Sequence, residues 1–259
     1  MAVFYQTAEA IQESTMKNQI DEILYQDDAI IAVNKPAGWL SIPDRYDPEK
    51  ANLYTTLKSE FGELYTVHRL DRDTSGILLF ARTSEAHRQL QFQFENRSIE
   101  KTYLALVDGQ LAEPTGTINY SVGPNPGKLG TMRVIARGKP SITHFETLEV
   151  FKSATLLRCK PETGRTHQIR VHLAEIGHPL LVDPIYGHRS EFFLSSIKLR
   201  KFRQGKNQEE RPLLYRTPLH AANLAFQHPI TNERMSIDCP IPKDFRAVLN
   251  QYSKWASVK

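Results

Sequence analysis

The segment of the sequence that is richest in reactive side chains is HRLDRDTSG at residues 68–76, which a short apolar run, ILLFAR, follows directly. A polar turn fixed at the end of a buried strand is where a protein can hold a catalytic group rigidly. Asp71, in the middle of this turn, is therefore a candidate catalytic carboxylate. The same residues also fit an ordinary charged turn in which Asp73 or Thr74 caps backbone amides.

A second polar cluster, TGRTHQIR at residues 163–170, opens a predicted helix over 166–176. The free amides and the positive dipole end of a helix start favour an anion. Arg165 flanks this start and Arg170 lies about one turn inside it; they either face such an anion or cover apolar surface with their stems. Tyr103 begins a predicted strand, a place where a tyrosine is more often packed core than a platform for a ligand.

Signatures of several enzyme classes are absent from the sequence. It has no phosphate-binding loop, dinucleotide fingerprint, zinc-protease helix, serine-hydrolase elbow or zinc-deaminase pattern. His167 and His172 are five residues apart, which splits them across a helix, so we predict no metal site. Two cysteines without a CxxC pair suit a reducing compartment. No apolar run approaches about 20 residues and no secretory signal is visible, so we predict a cytoplasmic protein without a membrane span.

The composition is that of an ordinary globular protein. The 259 residues carry a formal net charge of +4, and 40% of them are hydrophobic and 24% charged. These fractions exclude a mostly disordered chain and a small disulfide-stapled fold. Residues 1–28 are acidic, whereas residues 133–170 and 189–216 carry an excess of Lys and Arg. The basic stretches indicate either one positive face for a polyanionic partner or charges scattered over a solvated surface.

Hydrophobic periodicity predicts many short strands with a few helices between them. The predicted strands are 29–34, 77–82, 101–108, 116–121, 143–151, 154–160, 219–226 and 233–238. The predicted helices are 8–25, a segment through Leu53, Leu57 and Phe61, then 84–97, 166–176 and a last one after Pro242. Short connections between consecutive strands favour antiparallel pairing. We therefore predict the α+β class: a mostly antiparallel mixed sheet with flanking helices and a central cleft.

Five collinear blocks of this sequence resemble the RluA-type RNA pseudouridine synthases, and together they span about residues 27–240. The most specific is the HRLDRDTSG block. The five blocks are NKPAGWLSIP at 34–43, HRLDRDTSG with ILLFAR at 68–82, KTYLALVDG at 101–109, TGRTHQIRVHLAEIGHPLLVDPIYG at 163–187 and LHAANLAFQHP at 219–229. The resemblance implies an enzyme that detaches uracil from its ribose at N1, rotates it and reattaches it through C5.

The resemblance also implies residue roles. Asp71 matches the family's catalytic carboxylate, and Tyr103 matches its base-stacking tyrosine. Arg170 matches the arginine that pairs with the catalytic Asp, so we expect it to hold Asp71 bidentately. Arg69 matches an arginine expected to contact the RNA backbone or the flipped site, and Leu219 matches an apolar pocket wall. Whether Asp71 attacks C1′, attacks C6 or takes a proton from C2′ stays open.

His68 and Arg165, in two of the same blocks, are assigned to the RNA-binding surface. Isomerisation consumes no reductant, nucleotide or acyl donor, so no cofactor is expected. The expected partner is RNA, with ribosomal RNA favoured and transfer RNA next, and the expected state is a monomer. An inert RNA-binding or assembly protein on the same fold is the alternative; base hydrolysis with the same carboxylate is a third.

Two departures from the family pattern affect the prediction. Relatives often have Gly before the Asp of an HPxxGD segment, whereas this chain has Val182 before Asp183, which is expected to alter a turn. Residues 1–28 are too few and too acidic for the S4-type RNA-binding domain that many relatives carry, so we predict an acidic extension there. Residues 29–259 are then a single catalytic domain, and its basic insertion 189–216 is the leading candidate for RNA selection.

Overall fold

A computed structural model describes residues 23–47, 49–203 and 209–258. The predicted helix 8–25 and most of the acidic extension fall outside these residues. The described part of the extension, residues 23–28, contains a strand, Ile23–Gln26, that pairs antiparallel with the strand starting at Ile30. The prediction of helix up to residue 25 is therefore wrong at its end, because Leu24 and Tyr25 pack against the core as strand residues.

The described residues form a ten-stranded sheet and a separate two-stranded hairpin. The strands are β1 (Ile23–Gln26), β2 (Ile30–Lys35), β3 (Tyr65–Thr66), β4 (Ser75–Ala81), β5 (Glu100–Asp108), β6 (Thr115–Asn119), β7 (Val122–Pro124), β8 (Met132–Val134), β9 (Ile142–Val150), β10 (Ala154–Pro161), β11 (Leu219–Gln227) and β12 (Arg234–Asp238). The main order is β1-β2-β4-β11-β5-β10-β9-β6, with β3 beside β4 and β12 beside β11, while β7 and β8 form the hairpin.

The described helices flank the sheet. They are α1 (Leu53–Phe61), α2 (Ser84–Glu95), α3 (Gln168–Glu175), the single turn α4 (Ser195–Lys198) with a 3₁₀ turn after it (Leu199–Lys201), and α5 (Lys243–Trp255). Their ends follow local chemistry: Thr83 caps α2 by accepting from the Ala86 amide, and Gly62 ends α1 at a positive φ of 78°. The α+β class and the mostly antiparallel sheet are as predicted.

Among the described longer helices, α1 and α3 lie on one face of the sheet, and α2 and α5 lie on the other. Successive residues of a strand point to opposite faces. On β5, Tyr103 and Ala105 pack with α3, whereas Leu104 and Leu106 pack with α5. Tyr103 also joins the cluster that holds α1. We call the side of α1 and α3 the cleft face and the side of α2 and α5 the back face.

The basic insertion 189–216 lies against the back face where the structure describes it. It was predicted only from its basic charge, but three apolar side chains anchor it. Phe192, Ile197 and Leu214 are buried in the cluster that includes Leu104 and α5. The insertion is therefore anchored on the back face, whereas Tyr103 is on the cleft face.

The pairing of β4 with β11 is parallel, while the other pairings of the large sheet are antiparallel. It consists of His220 opposite Ser75 and Ala221 opposite Gly76. Parallel neighbours bring the same ends of their strands to one edge. The residues just before β4 and the first residue of β11 therefore meet, which positions the loop that carries Asp71 beside Leu219. We call this pairing the seam of the sheet.

Among the residues that the structure describes, no helix is long and apolar enough to span a bilayer.

Candidate active site

The loop that carries Asp71 is held from two sides by the NKPAGWLSIP segment. Ser41 Oγ accepts a hydrogen bond from the Leu70 amide at 3.0 Å and donates to the Leu70 carbonyl at 2.8 Å. The fully buried Lys35 donates through Nζ to the Arg72 carbonyl at 2.9 Å. Burial lowers the pKa of Lys35 to about 7, while the charges of Asp73 and Asp71 oppose this shift. The residues on both sides of Asp71 are thus fixed to the rigid β2 region.

The structure brings all seven predicted site residues to one cleft of about 490 Å³, within the size range of ligand pockets. The cleft residues from the prediction are His68, Arg69, Asp71, Tyr103, Arg165, Arg170 and Leu219. The Asp71 carboxylate remains partly open to the cleft, with 22% of its side chain exposed. Charged residues that line the cleft include five Arg or Lys and three Asp or Glu, an excess that suits a polyanion.

The expectation that Arg170 holds Asp71 bidentately is wrong. Arg170 Nη1 lies 4.0 Å from Asp71 Oδ2, whereas its Nε and Nη2 each donate to a different oxygen of Asp183 at 2.8 Å. Arg170 has five N–H donors, so it can hold one carboxylate as a fork and turn its remaining edge to a second. Arg170 is therefore a bridge between a structural Asp and Asp71.

Asp183 is completely buried, and sequence reasoning treated it only as part of a turn. Besides Arg170, its Oδ1 accepts from the amides of Ile185 and Tyr186. Burial alone would raise the pKa of Asp183, but the hydrogen bonds and charge of Arg170 outweigh it and lower the pKa. The sequence did hold a signal: Asp183 is a lone acid in the apolar run LLVDPI, and a buried carboxylate needs a cation.

His167 is a second functional candidate that the sequence missed, because it was weighed only as a metal ligand. It lies just before α3 with a positive φ of 56°, and its Nε2 is 3.9 Å from Asp71 Oδ2. Its Nδ1 is 2.7 Å from the Tyr186 hydroxyl. This left-handed backbone position also explains why α3 begins at Gln168 rather than at residue 166 as predicted.

Tyr103 and Leu219 form an apolar wall of the cleft. Leu219 is only 3% exposed and belongs to the same apolar cluster as Tyr103 and Ile169. Burial, with a smaller effect from the charge of Asp71, raises the pKa of Tyr103, so its hydroxyl stays protonated at neutral pH. The ring is thus a neutral aromatic surface beside the carboxylate.

The three other predicted residues differ in their surroundings. Arg69 is exposed, and its Nη2 donates to Thr166 Oγ1 at 3.3 Å. Arg165 is half-buried, and its Nε has no hydrogen-bond partner among the described residues. His68 Nε2 accepts from the Leu79 amide at 3.0 Å, and burial lowers the pKa of His68 to about 3. Arg69 and Arg165 are therefore available to a ligand, whereas His68 is a neutral ring fixed to β4.

In the ranges 23–47, 49–203 and 209–258, no three His, Cys, Asp or Glu side chains are grouped so that they could hold a metal ion. His172, which the sequence paired with His167, is instead turned towards Thr143 Oγ1 and the Tyr120 carbonyl.

Comparison with known proteins places this site in a family. The family model described as RNA pseudouridylate synthase matches residues 29–175, which include Asp71, Tyr103 and Arg170. A protein of Yersinia pestis named tRNA pseudouridine synthase C is 35% identical over 252 residues, covering 92% of this chain and 92% of the relative. The chain belongs to the RNA pseudouridylate synthase family.

Two further relatives extend the comparison. A Nitrosomonas europaea protein named ribosomal large subunit pseudouridine synthase D is 38% identical over 233 residues, and the match covers 88% of this chain but 64% of that relative's length. The solved structure of human RNA pseudouridylate synthase domain containing 1 aligns with a TM-score of 0.64 at 30% identity, over 85% of this chain and 82% of the human one. The fold of the sheet and cleft is therefore that of the family.

Proposed function

We propose that this protein is an RNA pseudouridine synthase that isomerises a specific uridine in structured RNA, with ribosomal RNA the favoured substrate and transfer RNA the next. The observation that carries the proposal is the partly exposed Asp71 carboxylate in a cleft, with Arg170 and His167 behind it and Tyr103 in the same lining. The names of the Nitrosomonas and Yersinia relatives support the two RNA classes in that order.

The chemistry assigned to these residues follows from the reaction. A uridine in structured RNA must leave its stack to reach the cleft, which costs a few kcal/mol. Stacking on Tyr103 offsets about 1–3 kcal/mol of this cost. Asp71 then acts as an ionised carboxylate on the sugar side of the glycosidic bond, so that the freed uracil can rotate and rejoin through C5. Arg170 places a positive charge 4.0 Å from Asp71 Oδ2, which opposes the negative potential of the RNA phosphates at this carboxylate.

The surroundings of the cleft supply the contacts to the RNA backbone in this proposal. Arg69 and Arg165 carry donors that face the cleft, and the unpartnered buried Nε of Arg165 would gain a hydrogen bond from a phosphate or base oxygen. We assign the basic insertion 189–216 a contact to a second part of the RNA. The proposal further includes a monomer that works without a cofactor in the cytoplasm, where the buried free thiols of Cys159 and Cys239 would stay reduced.

The decisive experiment compares two neighbouring carboxylates. Asp71→Asn is expected to abolish pseudouridine formation in RNA from cells that lack the gene, while RNA affinity stays within a few-fold. Asp73→Asn is the matched control, because Asp73 lies two residues away but lines a different hollow with Arg72 and Arg216. Pseudouridine is read by chemical mapping of total RNA, and the position restored by the wild-type protein names the substrate.

The result can also go against the proposal. Turnover by Asp71→Asn at the wild-type rate would remove Asp71 from the chemistry. A wild-type protein that binds RNA but forms no pseudouridine would favour the inert RNA-binding alternative, and release of free uracil would favour hydrolysis.

A further inference from the structure

His167 occupies a left-handed backbone conformation, which is uncommon for residues other than glycine. Its φ of 56° is in the left-handed region, which costs a non-glycine residue on the order of 1 kcal/mol or more. Strain of this kind persists where surrounding contacts fix the residue, and it is common at functional sites. Here the conformation turns the ring towards Asp71 on one side and Tyr186 on the other.

The Tyr186 hydroxyl determines which ring nitrogen of His167 carries the proton. Tyr186 Oη already accepts a hydrogen bond from the Met132 amide at 2.8 Å. Its own proton is then free to be donated to His167 Nδ1, 2.7 Å away. When Tyr186 donates in this way, the proton of the neutral imidazole is on Nε2, the nitrogen that faces Asp71. The opposite tautomer would turn an imidazole lone pair towards a carboxylate, which electrostatics disfavours.

Asp183 fixes Tyr186, which donates to His167, and it also fixes Arg170. Its Oδ1 accepts from the Tyr186 amide at 3.1 Å, and the guanidinium of Arg170 lies over the Tyr186 ring at 5.0 Å. The rings of Tyr186 and His167 also meet edge to face, 5.5 Å apart. The group that orients His167 and the group that orients Arg170 are thus one connected unit, and a shift of either would move both donors relative to Asp71.

Both donors approach the same oxygen of Asp71. The carboxylate oxygen of Asp71 nearest to each of them is Oδ2, at 3.9 Å from His167 Nε2 and 4.0 Å from Arg170 Nη1. These separations are longer than hydrogen bonds, as catalytic contacts often are before the substrate binds. Resting on the function proposed above, we propose that His167 is a positioning residue for Asp71: its Nε2–H, fixed by Tyr186 at Nδ1, holds Oδ2 together with Arg170 and leaves Oδ1 to react with the uridine.

The proposal requires His167 to be neutral. Burial lowers the pKa of His167, and Arg170 and Arg69 act in the same direction, while Asp71 and Asp183 oppose them. An imidazolium would also carry a proton on Nδ1, which would displace the proton donated by Tyr186. It would bind the ionised Asp71 more tightly and make Oδ1 a weaker nucleophile or base. Activity is therefore expected to fall at low pH as His167 takes up its proton.

The first test reads the tautomer directly and needs no turnover. Nitrogen-15 NMR of the histidine rings in the wild-type protein is expected to show His167 protonated on Nε2 and bare on Nδ1 at pH 7.5. The signal is identified by its loss in His167→Asn, because asparagine tolerates the left-handed backbone region. In Tyr186→Phe the neutral ring loses its hydrogen bond at Nδ1, so the titration midpoint of His167 is expected to move to higher pH. A wild-type His167 protonated on Nδ1 would overturn the proposal.

The second test uses the rate of pseudouridine formation across pH. His167→Asn is expected to lower kcat about tenfold to a hundredfold with little change in KM, as loss of alignment at a reacting group does. In Tyr186→Phe the acid limb of kcat is expected to move to higher pH together with the NMR midpoint. His178→Asn is the control, because His178 lies beyond the far end of α3 and contacts the Asp108 carbonyl. Wild-type kcat and an unshifted acid limb in both variants would refute the role of His167, whereas a wild-type protein without any activity would refute the proposed function instead.

Discussion

The two oxygens of the Asp71 carboxylate meet different surroundings. Oδ2 is the atom nearest to Arg170 and His167, while the side chain as a whole keeps 22% of its surface open to the cleft. The sequence predicted Asp71, Tyr103 and Arg170 as site residues from their places in family-like motifs, and the structure places all three in the lining of one cleft. The sequence could not show that Arg170 forks onto Asp183, since contact between helix α3 and the loop after it depends on how the chain folds back.

Tyr103→Phe tests the hydroxyl of Tyr103 separately from its ring. The phenol is protonated at neutral pH, so it can take up the C5 proton only if it gives up its own proton at the same time. The Phe variant is expected to keep RNA affinity within a few-fold and to slow turnover about 100-fold or more, the usual scale of lost acid–base help. Tritium release from 5-tritiated uridine in RNA measures this step.

The control for that prediction is Tyr103→Leu. It removes the aromatic face, so it is expected to weaken RNA binding as well, by about 1–3 kcal/mol. Tritium release from Tyr103→Phe at the wild-type rate would show that the hydroxyl is dispensable.

At the scale of elements, the strands with clear β-branched or alternating patterns were predicted within one or two residues, and the helices α1, α2 and α5 likewise. The misses have physical causes. The strands β1 and β3 are short or fall in segments without clear alternation. The hairpin of β7 and β8 lies in VGPNPGKLGTMRV, where Gly and Pro hide the strand signal. The seam could not be predicted, because local periodicity does not say which strands become neighbours.

Gly76→Ala tests the seam. A Cβ at residue 76 would lie 2.2 Å from the Ala221 carbonyl oxygen, and the φ of Gly76 is 114°. The clash and the backbone strain together are expected to lower the free energy of unfolding by about 2–6 kcal/mol, measured by urea denaturation.

Gly38→Ala is the matched control for the seam. Gly38 also has a positive φ, of 87°, but a Cβ there would meet nothing within 4 Å. The Gly38→Ala variant is expected to lower the free energy of unfolding by the backbone strain alone, about 1–2 kcal/mol. Equal losses in the two variants would show that close contact at the seam contributes nothing.

For the molecule as a whole, the two faces of the sheet separate the cleft from the basic insertion. The described basic residues Arg200, Lys201 and Arg203 are exposed beyond the anchors on the back face. Lys198 and Lys201 stand near the Trp255 ring of α5, at 4.7 and 5.8 Å from its centre. The insertion was predicted from charge to select RNA, and its place in the fold means that any such contact is made apart from the reacting uridine.

Reversing the charges of Arg200, Lys201 and Arg203 to Glu tests this contact. We expect weaker binding of the substrate RNA and a smaller slope of log affinity against log salt, by about one unit for each lost phosphate contact. Arg88→Glu, an exposed cation on α2, controls for a general change of net charge. An unchanged slope would remove the insertion from the RNA interface.

The separation of the two faces has a consequence for the shape of the substrate. In the proposed function, an RNA that contacts both the cleft around Asp71 and side chains rooted beside α5 has to pass around an edge of the sheet. A stem with its loops, which bends back on itself, has a shape that allows this. The protein would then recognise the folded shape of the RNA around the uridine as much as the base sequence next to it.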